Sequence, residues 1–248
     1  MSTEIRVIPL EGIPEVEEGD DLVALLGEAA ERWGGLEDAD VLVVAQKVVS
    51  KAEGRIVRLD EIEASARAHE LADDDRDPRH IEVILRESRH VVRVRPPLII
   101  SETRHGFVAA SAGVDASNAK GEGTVVLLPL DPDASAAGIR AGLRERTGRD
   151  IGVIVSDSFG RAFRQGTVEV ALGVAGLTAL LDLRGTRDSA GYELHATQIA
   201  IADELAAAAE LVMGKVKGIP AAVIRGVDAR GDGSGRDLVI PEERDLFR

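Results

Sequence analysis

The 248-residue chain contains no cysteine. Disulfides, thiolate nucleophiles and cysteine-ligated zinc are therefore excluded, and a cytoplasmic location is the default expectation. No apolar run approaches the roughly 18–20 residues that a bilayer-spanning helix needs. The opening Met1-Ser2-Thr3-Glu4-Ile5-Arg6 lacks the basic and long apolar segments of a signal peptide. A basic face is missing too. Lys and Arg total 30 against 44 Asp and Glu, a formal net charge of −14, which argues against a nucleic-acid partner. His69, His80, His90, His105 and His195 show no zinc-ligand spacing. Gly214-Lys215 is followed by Val216, and Ala209 stands where a P-loop requires its first glycine. No Gly-x-Gly-x-x-Gly follows an early strand, and no Gly-x-Ser-x-Gly elbow occurs.

What remains is a globular composition, 44% hydrophobic, long enough for one large or two modest units. The acid surplus lies in patches such as Glu15-Val16-Glu17-Glu18-Gly19-Asp20-Asp21 and Asp73-Asp74-Asp75, which read as solvated surface. Strand-like runs at 5–8, 41–44, 91–94, 107–110, 125–128, 151–155 and 221–224 alternate with helical spacing at 21–32, 64–72, 81–88, 134–146 and 198–212. That pattern predicts an α+β (mixed α/β) fold. Asp133 is placed to cap the helix over 134–146, with Gly148 as its stop. Gly231-Asp232-Gly233-Ser234-Gly235 reads as a flexible turn, and Pro241-Glu242-Glu243 as the start of a short terminal helix. Composition marks no boundary within 1–248.

Two hydrophobic runs end in an aspartate among small polar residues: Val153 through Asp157-Ser158, and Phe107 through Asp115-Ala116-Ser117-Asn118. Magnesium and manganese prefer oxygen ligands, and a carboxylate brings charge that neutral groups cannot. Ser158 can add a hydroxyl ligand. Gly160 permits close backbone approach, and Arg161 and Arg164 can bind phosphate or carboxylate oxygens in a bidentate way. A third element, 41–55, runs a buried strand into Gln46 and Lys47, then Ser50 and Lys51, where lysines can neutralise a polyphosphate. Asp131-Pro132-Asp133 after a strand fits either an aspartyl-phosphate nucleophile or a proline turn with a helix cap.

Taken together with Pro9-Leu10-Glu11-Gly12-Ile13-Pro14, these segments resemble the coenzyme F-420-0:L-glutamate ligase family, which adds glutamate to a deazaflavin coenzyme precursor. The resemblance covers nearly the whole chain. It includes Ser50-Lys51-Ala52-Glu53-Gly54-Arg55, Ala112 to Asn118, Leu130 to Asp133, Asp157 to Gly166, and Leu211-Val212-Met213-Gly214 before Gly218-Ile219-Pro220. It implies a two-lobed ligase with mixed sheets and flanking helices, GTP as co-substrate, Mg2+ or Mn2+, K+, and a homodimer. By the same resemblance the nucleotide is held at Glu11, Gly12, Ile13, Pro14, Gln46, Lys47, Lys51 and Asn118. The loop Met213, Gly214, Lys215, Val216, Lys217, Gly218 and Ile219 completes that set. The metal falls to Asp115 and Asp157, with Ser158 serving a second ion. One departure stands out: a metal-binding glutamate of the archaeal loop is here Lys215, and the loop is shorter.

The chemistry implied is phosphorylation of a carboxylate by GTP to an acyl phosphate, then attack by the glutamate amine. Such a reaction depends on positioning and charge neutralisation, with Lys51, Arg161 and Arg164 as candidate catalytic residues. Two other readings follow from the residues alone: a metal-dependent phosphatase or phosphotransferase using Asp131 and Asp133, and a non-catalytic nucleotide-binding module.

Overall fold

The computed structural model describes residues 4–72, 76–117, 119 and 121–246. In chain order its regular elements begin with β1 (Arg6–Pro9), α1 (Leu22–Arg32), β2 (Val41–Ala45), α2 (Gln46–Ala52) and β3 (Ile56–Arg58). Then come α3 (Ala66–Leu71), α4 (Pro78–Glu87), β4 (Ser88–Arg95), β5 (Leu98–Thr103), β6 (Val108–Ala110) and β7 (Thr124–Val126). The last are α5 (Pro132–Thr147), β8 (Gly152–Arg161), β9 (Arg164–Ala175), β10 (Leu181–Asp182), β11 (Gln198–Ile199), α6 (Ile201–Met213) and β12 (Ala221–Arg225). The architecture is α+β.

A five-stranded sheet in the order β1-β12-β2-β8-β9 forms the frame. Only β2 and β8 run parallel; the other pairs are antiparallel. The apolar run of β2 is explained by burial on both faces. Leu42 and Val44 point into one core with Val153, Val155 and Val223, packed under residues of α1, α2 and α5. Val41 and Val43 point the other way, into a core with Ile154, Ala222 and α6. The small side chains Ala202, Ala206 and Ala209 of α6, all 0% exposed, let that helix lie close on the sheet.

Between α2 and α5 the chain leaves this frame and builds a third apolar cluster. Ile81 and Ile84 of α4 join Leu59, Ile99, Val114, Val125 and Leu127 there. α4 starts sharply, with Asp77 accepting from the Arg79 amide and Pro78 at its first position.

Several expectations need correction. The hydrophobic run into Asp115 is not one strand. β6 stops at Ala110, and Ser111, Ala112 and Gly113 follow with φ of 54°, 51° and 73°. A Cβ at Gly113 would sit 2.6 Å from Leu128 Cγ, so the chain needs glycine there to turn. Asp115 then bridges Val126 by paired backbone bonds. The other run does not end at Asp157 either. β8 continues through Ser158, Phe159 and Gly160 to Arg161, because β9 pairs with it throughout. The helix expected over 198–212 begins at Ile201, since Gln198 and Ile199 pair with β10. The cap of α5 is Asp131, which accepts from Ala134 N; Asp133 lies inside the first turn. The 231–235 turn is packed at its end, where Gly235 is buried. A Cβ on Gly235 would come within 2.0 Å of the Leu172 carbonyl oxygen.

Candidate active site

A cleft of about 680 Å³ opens where the β2–α2 junction, the β8–β9 pair and the C-terminal end of α6 meet. That is the size range of small-molecule sites. From the first loop it takes Ile13, Pro14, Glu15 and Val16; from α2 it takes Gln46, Lys47 and Lys51. The strands contribute Ser156, Asp157, Ser158 and Glu169, and the α6 end contributes Glu210, Met213, Gly214, Lys215, Val216, Gly218 and Ile219. Ala119 is also in the lining.

On α2, residues four apart share a face. Gln46 accepts from Ser50 Oγ at 2.8 Å, while its own amide Nε2 is buried with no partner among the described residues. Such a donor wants an acceptor, and leaving it unmade costs about 1–3 kcal/mol. Lys47 Nζ donates to Asp115 Oδ2 at 2.6 Å and to Ser117 Oγ at 2.7 Å. Lys51 is 5% exposed, and its ammonium pairs with the Glu15 carboxylate from the first loop.

The strand pair carries the acid. Asp157 is pushed up to about 7, first by burial and then by the neighbouring Glu169 carboxylate. Glu169 is also raised, chiefly by burial. It accepts from Ser156 Oγ at 3.0 Å and from Ser158 Oγ at 2.8 Å. Asp115 goes the other way. Burial pushes it up, but bonds from Lys47 and Ser117 outweigh this and hold it below the ordinary carboxylate range.

This donor set suits a hard divalent cation. It offers carboxylate and hydroxyl oxygens, and it holds buried negative charge that a cation would relieve. Among the described residues no three His, Asp or Glu side chains are grouped so as to hold a metal ion by themselves. Magnesium sites commonly take one or two carboxylates and let substrate phosphates complete the shell. Asp157 and Ser158 line the cleft and would supply the protein's share; Asp115 is not in the lining but is bonded to Lys47, which is.

Some expected residues fall outside the lining. The Glu11 and Gly12 carbonyls accept from Arg32 Nη2 at 3.1 Å each, which fixes the approach to Ile13 and Pro14. Lys217 Nζ reaches back to the Leu211 and Val212 carbonyls at 3.3 Å, closing the end of α6. Arg161 and Arg164 stand on the β8–β9 hairpin, where Arg161 Nη2 donates to the Gln165 carbonyl. Asn118 lies outside the described residues. Asp131 and Asp133 have structural duties: Asp131 caps α5, and Asp133 Oδ1 accepts from Val174 N at 2.8 Å and Gly235 N at 2.7 Å. Neither lines the cleft.

Glu15, Ser156, Glu169 and Glu210 were not singled out from the sequence. Glu169 did leave a signal, a lone carboxylate inside Val168-Glu169-Val170-Ala171-Leu172. The strand around it went unread because Gly166 and Gly173 interrupt it.

Comparisons with known proteins define the class. A family model described as F420-0:Gamma-glutamyl ligase matches residues 12–226. The coenzyme F420:L-glutamate ligase of Methanothermobacter thermautotrophicus is 48% identical over 250 residues, covering 98% of this chain and 99% of the relative. The ligase of the same name from Methanopyrus kandleri is 49% identical, covering 98% and 97%. That of Archaeoglobus fulgidus is 44% identical, covering 98% and 96%. The protein is thus an amide-forming ligase. The chain belongs to the F420-0:gamma-glutamyl ligase family.

Proposed function

We propose that this protein joins L-glutamate to coenzyme F420-0 through an amide bond, at the expense of GTP. The observation that supports this best is the convergence of four separate segments on one cleft: 13–16, 46–51, 156–158 with Glu169, and 213–219. Each brings polar groups of the kind a nucleotide and an activated carboxylate need. The matched relatives carry the ligase name over nearly their full length.

A free carboxylate is a poor acyl donor, because oxide leaves poorly. Transfer of the terminal phosphoryl group of GTP to the precursor's carboxylate gives an acyl phosphate and GDP. The glutamate amine then attacks the carbonyl carbon. The C–N bond forms, the C–O bond to phosphate breaks, phosphate departs with the electron pair, and the amine loses a proton. Lys51, released from Glu15, and Lys215 supply positive charge to phosphate oxygens. Gln46 Nε2 supplies a donor to the nucleotide. Arg161 and Arg164 are proposed for the acidic groups of the incoming substrates. Asp157, Ser158 and, once released by Lys47, Asp115 would hold Mg2+ or Mn2+, which when bound would supply charge neutralisation at the phosphates. Potassium dependence, a homodimer and a cytoplasmic location belong to the same reading.

The test is a coupled assay. GDP release should require both coenzyme F420-0 and glutamate, and mass spectrometry should find the precursor heavier by one or more glutamyl units. Phosphate release without glutamate would favour a phosphotransferase instead. GTP binding with no turnover in any substrate mixture would favour a non-catalytic module.

A further inference from the structure

Glu169 is a costly residue for a strand to carry. It is 5% exposed, in the middle of β9, with Val168 and Val170 beside it. Burying a carboxylate is costly, and the two hydroxyl bonds it receives offset that cost only in part. For folding alone, an apolar or amide side chain would serve as well. The placement of those two bonds supplies the reason to keep it.

In the antiparallel register Ser158 lies directly opposite Glu169, and Ser156 is two residues earlier on the same strand. Each serine takes a separate carboxylate oxygen: Ser156 Oγ donates to Oε1 and Ser158 Oγ to Oε2. A serine hydroxyl has one hydrogen and two lone pairs. Once the hydrogen of Ser158 is committed to Glu169, only lone pairs remain for the cleft. Ser156 is 0% exposed, and its bond fixes the carboxylate plane from the far side.

We propose that Glu169 is a positioning residue that sets Ser158 as an obligate acceptor, so that its oxygen meets a divalent cation rather than donating to a ligand. The proposal rests on the ligase reading of this cleft. Glu169 acts through Ser158 and needs no contact with the reacting atoms. Removing the carboxylate frees the hydroxyl to rotate and donate, and the oxygen loses its fixed aim. Partners of this kind typically govern metal affinity by about 10–100-fold.

The test is Mn2+ binding without turnover, by isothermal titration in the presence of GDP. The variants are Glu169→Gln, Ser158→Ala and the double variant, with GDP affinity in metal-free buffer and thermal unfolding as controls. In Glu169→Gln one carboxylate oxygen becomes an NH2 group, which turns one acceptor into a donor toward the serines. Mn2+ affinity is expected to fall about 10–100-fold in each single variant, and no further in the double, because both act on one oxygen. Metal-free GDP affinity should stay within twofold. Ser158→Ala changes little volume, so a fold defect in Glu169→Gln would still leave Ser158 to be read. Unchanged Mn2+ affinity in Glu169→Gln, or losses that add in the double variant, would overturn the proposal while leaving the ligase reading intact. A parent protein that binds no Mn2+ beside GDP would remove the metal reading and this inference with it.

Discussion

Lys47 and Asp115, 68 positions apart in the chain, are joined by an ammonium–carboxylate bond of 2.6 Å. It ties α2, on the main sheet, to the turn that leads out of the third apolar cluster. Both side chains are partly shielded, at 15% and 34% exposure. Such a pair ranks above a surface ion pair and below a fully buried one. Lys47→Gln should therefore destabilise the protein by about 1–2 kcal/mol at neutral pH in denaturant titration. The pH dependence has a definite sign. Asp115 is held below its unfolded value, so its contribution is present above about pH 4 and is lost as pH falls through the folded value. The variant's loss should fade in acid; a loss that grows below pH 4 would contradict the assignment.

Asp157 predicts the opposite slope. Its folded value is about 7, above the unfolded value. Its ionisation therefore opposes folding, with a penalty that begins above about pH 4 and levels off above about pH 7. Because the residue keeps intermediate exposure, the penalty is on the order of 2–3 kcal/mol rather than the figure for a fully buried charge. Asp157→Asn should be more stable than the parent at pH 8 without metal, and equal to it near pH 4. Added Mn2+ should stabilise the parent and leave the variant unmoved, and metal-dependent turnover should be lost. A variant with full turnover would remove Asp157 from the metal site.

Asp131 and Asp133 separate the ligase reading from the phosphotransferase one. Asp131→Ala removes a helix cap and should cost about 1 kcal/mol of stability while preserving ligase turnover. Asp133→Ala leaves the amides of Val174 and Gly235 without their acceptor, about 1–3 kcal/mol for each. Melting curves beside the coupled assay distinguish these effects. Abolished turnover in a fully folded Asp131→Ala protein would favour the aspartyl-phosphate alternative.

Lys215 and Lys217, two positions apart, should behave differently. Lys215 lines the cleft, whereas Lys217 is spent on the carbonyls at the end of α6. Lys215→Ala should weaken GTP binding by about 10–100-fold, the loss of one charge-assisted contact. Lys217→Ala should change stability by under about 1 kcal/mol, with affinity nearly unchanged. Equal GTP affinity for parent and Lys215→Ala, by titration calorimetry, would count against a phosphate role.

The fold class was legible because alternating apolar runs mark strands that must be covered. The run 41–44 reads as a buried strand, and it lies at the centre of the sheet with both faces packed. β9 was not legible. Its glycines break the pattern, and one of them is needed because a Cβ at Gly173 would meet the Pro132 carbonyl at 2.0 Å. α2 was missed for another reason: it follows β2 without a break, and its N-cap, Ala45, offers no side-chain capping signal.

By itself, the sequence determined which chemistry was available. The absence of cysteine and of zinc spacing removed whole classes of site, and the aspartates, Gln46 and the lysines are groups of the kind that bind a cation or a polyphosphate. Residue type sets what a side chain can donate, accept or ionise, and that does not depend on the fold. Only the tertiary structure decided which groups share a space. It bound Lys47 to Asp115 and Lys51 to Glu15, turned Asp131 and Asp133 into structural acceptors, and brought Glu169 against Ser158. Those pairings rest on register, left-handed turns and burial, which act between residues far apart in the chain and leave no spacing in the sequence to read.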